Sequence, residues 1–166
     1  MSNVTHTPTI PLGVKPPQEL VSSTAFLLKR LGWAVKDRSM EAFEAAGASP
    51  YQYAVLAVLE EGARETQATV ADALGYDRSY LVGLLDELEK GGLIERKRDP
   101  ADRRRHLVNL TPAGSKTLKQ LREISQGVED EFLEPLKAEE RKTLHRLLLK
   151  LAAHHDPRYG PNGSGA

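Results

Sequence analysis

Residues 66–114 read TQATVADALGYDRSYLVGLLDELEKGGLIERKRDPADRRRHLVNLTPAG, and the order of signals along this stretch decides the fold. Thr66 offers a hydroxyl N-cap to a short helix with Val70, Ala73 and Leu74 on its apolar face, and Gly75 stops it. Asp77 caps a second helix running to about Lys90, in which Leu81, Leu84, Leu85 and Leu88 recur at helical spacing. Two short helices joined by the tight LGYD turn read as a helix-turn-helix. Gly91-Gly92 ends the second helix. Strand-like apolar residues follow, and Asp99-Pro100 suits the first two positions of a type I turn. DPAD therefore joins strands at about 93–98 and 104–110. A helix-turn-helix followed by a hairpin is a winged helix, spanning about 49–110.

The hairpin concentrates charge. From Arg96 to His106, six Lys/Arg and two Asp fall in eleven residues, in a chain whose formal net charge is zero. A solvated turn needs no such concentration, so an anionic partner is implied. The polar first turn of the second helix, DRSYLVG, supplies what a major groove needs: a helix-turn-helix inserts that helix, and its N-terminal residues reach base edges. Arg78 can donate two hydrogen bonds to guanine, Ser79 can donate or accept, and Tyr80 can contact a thymine methyl or a phosphate. The plainer reading of these residues is an ordinary polar surface turn. Thr66 and Gln67, at a helix N-terminus, are placed to meet a phosphate, or simply to cap. Arg103, Arg104 and Arg105 at the hairpin tip can place guanidinium groups in a minor groove. Asp102 is then read as a brace that aims an arginine through a charge-assisted pair.

Outward from this centre the chain is helical. Residues 18–46 show helical apolar spacing from Leu20 to Phe43 and are read as one long helix ending at Gly47. Ser49-Pro50 starts a helix carrying Tyr51, Ala54, Val55, Val58 and Leu59. Thr111-Pro112 starts another, with Leu118, Leu121, Val128 and Phe132, and a last helix aligns Leu144, Leu147, Leu148 and Leu151. The terminal helices, about 18–46 and 111–154, are more apolar on one face than one small domain can bury, and a second copy of the chain is the expected cover. Residues 1–17 read as an arm and 155–166 as a frayed Gly/Pro-rich tail. The fold class is thus mainly α with a small β-hairpin wing, a winged helix-turn-helix flanked by dimerisation helices.

Several functions are disfavoured. The absence of cysteine excludes disulfides, thiolate metal sites and thiol redox sensing, and fits a reducing cytoplasm. No apolar run reaches the roughly 20 residues of a membrane span. The five histidines show no metal-ligand spacing. No nucleophile elbow, P-loop or dinucleotide turn is present, so neither an enzyme nor a cofactor is expected. The competing reading from another class is a winged-helix protein-docking module, against which the basic wing argues because protein interfaces deplete Lys at their core.

The stretch 66–114 resembles the winged-helix segment of MarR-family transcriptional regulators. Its D-x-x-D-x-R wing followed by L-T-x-x-G is carried here by Asp99, Asp102, Arg104, Leu110, Thr111 and Gly114, and the layout of the flanking helices extends the resemblance over about 18–154. The resemblance implies a homodimer that binds double-stranded DNA at a pseudo-palindromic operator. Arg104 would be its minor-groove arginine with Asp102 as brace, and Arg78, Ser79 and Tyr80 its major-groove readers. It also implies a repressor relieved by a small aromatic or anionic effector in a crevice near Trp33, Tyr51 and Tyr53, residues for which core packing is the plainer role. One departure is Gly83, where the family often carries a polar or basic residue.

Overall fold

Hydroxyl and carboxylate caps set the boundaries of the central helices. The computed structural model describes residues 15–62, 65–102 and 104–160. Arg103 and most of the N-terminal arm therefore lie outside the described residues. Helix α3 (Pro50–Glu61) opens on a reciprocal capping box: the Ser49 hydroxyl accepts from the Gln52 N–H (3.1 Å), and the Gln52 side chain accepts from the Ser49 N–H (3.2 Å). Thr66 and Thr69 build the same box at the start of α4 (Gln67–Leu74). Gly75 ends α4 in the left-handed region, at φ 65°. Helix α5 (Arg78–Lys90) starts at Asp77, whose carboxylate accepts from the Ser79 and Tyr80 N–H groups.

The expected hairpin is present, and a short third strand extends it into a three-stranded antiparallel sheet. Strand β3 (His106–Leu110) lies between β2 (Ile94–Arg98) and a two-residue strand β1 (Glu65–Thr66). In register, Arg96 faces Val108 across β2–β3, and Glu65 faces Val108 across β1–β3. The wing is thereby anchored to the segment that leads into α4. The turn also differs from the one read in the sequence. It closes across Asp99–Arg105, where the Asp99 N–H donates to the Arg105 carbonyl (3.0 Å), and β3 begins two residues later than expected. Both aspartates of the turn help to build it. Asp99 Oδ1 accepts from the Ala101 N–H (2.8 Å), and Asp102 Oδ1 from the Arg104 N–H (3.0 Å).

One apolar core joins α3, α4, α5 and the sheet to α6 (Pro112–Phe132). Leu56, Leu81, Leu85, Leu88, Ile94 and Leu118 are among its fully buried side chains. Thr111 stitches the sheet to α6. Its N–H donates to the Leu93 carbonyl (3.1 Å), and its hydroxyl donates to the Gly92 carbonyl (2.7 Å) while accepting from the Gly114 N–H (3.0 Å). Gly114 is buried against this junction. A Cβ built there would stand 2.0 Å from the Leu93 carbonyl oxygen.

The N-terminal helix is interrupted, where the sequence suggested one rod. A short α1 (Gln18–Val21) ends at Ser22, and α2 (Thr24–Ala45) restarts with the Ser23 hydroxyl accepting from the Phe26 N–H (3.3 Å). The apolar spacing runs on across the break, and it hid a serine cap. Only Phe43 of α2 is buried. The final helix α7 (Ala138–His155) buries none of its residues, and Leu147, Leu148, Leu149 and Leu151 are all exposed, as are Leu27, Leu28 and Leu31 of α2. Beyond α7 the tail does not fray at once. Pro157–Tyr159 form a 3-10 turn.

Gly83 sits in α5 with nothing within 4 Å of where a Cβ would stand. Gly83→Ala should therefore gain helix propensity without a clash, about 1 kcal/mol. That corresponds to a rise in Tm of about 2–4 °C for a chain of this size. Calorimetry showing a lower Tm would rule this out.

Candidate nucleic-acid interface

A concavity of about 570 Å³ lies between the start of α4, one face of α5 and the wing. It is lined by Thr66, Gln67, Ala68, Thr69, Arg78, Leu81, Val82, Arg104, Arg105 and His106. Five residues singled out in the sequence thus converge on one cleft: Thr66, Gln67, Arg78, Arg104 and Arg105. The N–H groups of Gln67 and Ala68, in the first turn of α4, have no intrahelical partner by helix geometry and form an anion-seeking end. None of the described residues lining the cleft is a carboxylate.

Ser79 and Tyr80 sit in the first turn of α5, as read from the sequence, but outside the lining of this cleft. The Ser79 hydroxyl donates to the Asp77 carboxylate. That bond, with the two backbone N–H groups, holds the Asp77 carboxyl below the usual range, so the cap stays ionised and keeps the serine engaged. The Tyr80 ring packs edge-on against Tyr51 and Tyr76, each at 5.8 Å between centroids, and Tyr51 meets Tyr76 at 6.0 Å. Burial, before the neighbouring rings, raises the phenol pKa of both Tyr76 and Tyr80. Tyr80 thus supports the opening of α5 from the side; it remains partly exposed, but the 570 Å³ concavity is not its surroundings. The sequence reading missed Val82 and His106, which line that concavity. Val82 lies one turn after Arg78, a spacing that could have flagged it, and is an exposed apolar group fit to meet a thymine methyl.

The charge of the wing is divided between stem and tip. Arg96, on β2, turns back onto α5: Nη2 meets Asp86 (2.6 Å) and Glu89 (2.5 Å), Nε meets Glu89 (2.9 Å), and its own N–H donates to Glu89 (3.1 Å). These bonds raise the Arg96 pKa, Glu89 contributing most, and Arg96 in turn holds the Glu89 carboxyl below its ordinary value. Arg96 is a rivet between the wing and α5. Lys97 pairs with Glu95 (2.5 Å). At the tip, Asp102 pairs with Arg105 (Nε to Oδ2, 3.4 Å), not with the Arg104 side chain as the sequence reading had it. It reaches Arg104 only through that residue's backbone N–H. The i,i+3 step across the turn brings residue 105, rather than 104, over the carboxylate.

The three aromatic residues read as a ligand crevice do not come together. Trp33 is half-exposed on α2 under Lys29 (4.8 Å to the ring centroid), Tyr51 belongs to the tyrosine cluster at α5, and Tyr53 packs on Phe43 (5.6 Å). A separate crevice of about 590 Å³ lies where the α2–α3 turn, α3, α5 and α6 meet, walled by Leu56, Leu88, Leu121 and Ile124, with Gln52, Gln120 and Glu123 at its polar edge.

The sequence and the fold are similar to those of known proteins. Residues 46–105 match the model of the MarR family. Over 100 residues, 60% of this chain and 74% of the relative, the sequence is 34% identical to the transcriptional regulator HosA of Escherichia coli. It is also 34% identical to a regulatory protein proposed for the hcr operon of Thauera aromatica, of whose length the chain spans 63%. Among solved structures, the repressor CouR bound to a 23-mer DNA duplex superposes with a TM-score of 0.76 at 31% identity, covering 84% of this chain and 99% of that one. CouR from Rhodococcus jostii bound to p-coumaroyl-CoA gives 0.72 at 30% identity, over 85% and 97%. With the winged helix, the motif residues and these relatives in agreement, the chain belongs to the MarR family of transcriptional regulators.

Proposed function

We propose that the cleft between α4, α5 and the wing is the DNA-reading face of a dimeric repressor. One observation carries this: an arginine of the recognition helix, two arginines of the wing and a helix N-terminus share a single concavity with no carboxylate among its described lining. In this reading residues 49–110 are the reading head, and helices 18–46 and 111–154 form the dimer through the exposed leucines of α2 and α7. The two copies of α5 enter successive major grooves of a pseudo-palindromic duplex, Arg78 and Val82 leading. Arg104 and Arg105 lie in the flanking minor grooves, and the first turn of α4 holds a phosphate. Asp102 keeps Arg105 aimed by ion pair and shapes the turn under Arg104. The protein acts by binding in the cytoplasm and carries out no chemistry of its own.

Release by a small effector is part of the same proposal, as CouR is seen with p-coumaroyl-CoA. Its proposed seat is the crevice between the α2–α3 turn, α3, α5 and α6, which offers apolar walls for a ring and the Gln120 amide for a polar group. A ligand there would change the separation of the two heads, and only one separation fits the half-sites.

The test is selection of bound sequences from random duplex DNA, followed by a salt titration on the recovered site. An inverted repeat is the expected outcome. Arg104→Ala removes one cation per subunit, so the slope of log K against log salt should shrink by about 1.8 for the dimer, at about 0.9 per phosphate. A slope equal to that of the parent chain would remove Arg104 from the interface.

A further inference from the structure

We infer that Arg158 is a positioning residue for DNA recognition, a latch that ties the end of α7 to the turn between α4 and α5. This rests on the DNA-reading role proposed above. The inference starts from an unfilled acceptor. At the end of α4, the N–H groups of both Gly75 and Tyr76 donate to the Ala71 carbonyl. The Asp72 carbonyl, next in line, is left without the backbone donors that would ordinarily reach it. Arg158 supplies one from 86 residues away: its Nη1 donates to the Asp72 oxygen at 2.5 Å.

The approach is shaped on both sides. The Arg158 guanidinium lies 3.4 Å from where a Cβ of Gly75 would stand, so the left-handed glycine that ends α4 also leaves the opening the arginine uses. On the other side Asp156 holds the guanidinium by its fork. Nε lies 2.9 and 3.0 Å from the two carboxylate oxygens, and Nη2 lies 2.5 Å from Oδ2. Asp156 also accepts from the Arg158 N–H (3.0 Å) and so caps the 3-10 turn that carries it. A cation at a helix C-terminus meets the negative end of the helix dipole as well.

The consequence is mechanical. Helix α7 presents the unpartnered leucines, and α5 enters the groove. The turn at Gly75–Asp77 sets the angle of α5, and the latch joins that turn to the last residues of α7. Two latches per dimer narrow the range of distances between the reading heads.

The experiment compares R158A and R158K with the parent chain in two measurements. In the free protein, hydrogen exchange at the Gly75 and Tyr76 amides should speed about threefold in R158A, with the Tm and the dimer unchanged. On the selected inverted repeat, R158A should bind about fourfold more weakly, about twofold from each of two exposed ion-paired contacts. On repeats whose half-sites are moved by one base pair it should bind as the parent does, so that spacing discrimination narrows. R158K keeps a cation for the carbonyl but loses the fork, and should fall between. Unchanged exchange at the turn would overturn the latch whatever the DNA result. An equal loss at every spacing, or a lowered Tm, would make Arg158 merely structural and overturn the positioning role. If the parent chain binds no duplex, the DNA-binding reading fails and the exchange measurement alone decides whether the latch exists.

Discussion

Gly114→Ala is expected to destabilise the fold by about 3 kcal/mol or more, at the upper end of what overpacking a filled core costs. The added methyl would stand 2.0 Å from the Leu93 carbonyl oxygen, 2.8 Å from Leu110 Cδ1 and 2.9 Å from the Leu93 carbonyl carbon. Two of these are backbone atoms, which cannot swing aside as a side chain can. The Leu93 carbonyl is further held by the Thr111 N–H, and the Thr111 hydroxyl grips the neighbouring Gly92 carbonyl. Moving the strand entrance therefore breaks the stitch between wing and α6. Tm should fall by about 6–12 °C. Thermal unfolding would check this, and a variant within 1 kcal/mol of the parent would show that the junction yields more readily than its geometry allows. The L-T-x-x-G signature thus has a physical origin: the threonine makes the stitch, and the glycine is the residue small enough to lie beneath it.

The second large effect should appear in binding. Arg78 opens α5 at the cleft, and a bidentate arginine–guanine contact is worth about 1–3 kcal/mol. A symmetric dimer makes it twice, so Arg78→Ala should weaken operator binding by about 2–6 kcal/mol and flatten base preference at one symmetric pair of positions. Arg104→Ala acts on the salt slope and weakens every sequence, whereas Arg78→Ala should leave binding to unrelated duplexes far less changed. Competition assays on single-base operator variants at fixed salt separate the two. Retained preference at every position would assign reading to other side chains.

Much of this architecture was legible in residues 66–114 because each boundary is marked by local chemistry. Thr66, Asp77 and Thr111 cap helices through contacts only two or three residues away, and such signals survive in a bare sequence. What escaped depended on distance or brevity. Strand β1 is two residues long, too short to show alternation. Ser23 restarts a helix inside an unbroken apolar pattern. Tyr80 belongs to a cluster whose other members come from α3 and the α4–α5 turn, and Arg96 takes partners seven and ten residues back on another element. The pairing of Asp102 with Arg105 depends on how a seven-residue turn is folded, which composition does not determine. Arg158 looked like part of a fraying tail because its acceptor is 86 residues away.

The division of the wing into a riveted stem and an outward tip makes the tip an interchangeable part. Arg96 and Lys97 are committed to carboxylates of the same chain, and Ile94 and Val108 to the core. Among the described residues of the tip, Asp99, Ala101, Asp102, Arg104 and Arg105 bond to one another. A lineage, or an engineer, that keeps Asp99 and Asp102 to build the turn can exchange the tip cations to suit wider or narrower grooves, while the riveted stem stays in place on α5. Affinity for flanking DNA can then drift independently of which bases are read at the centre of each half-site.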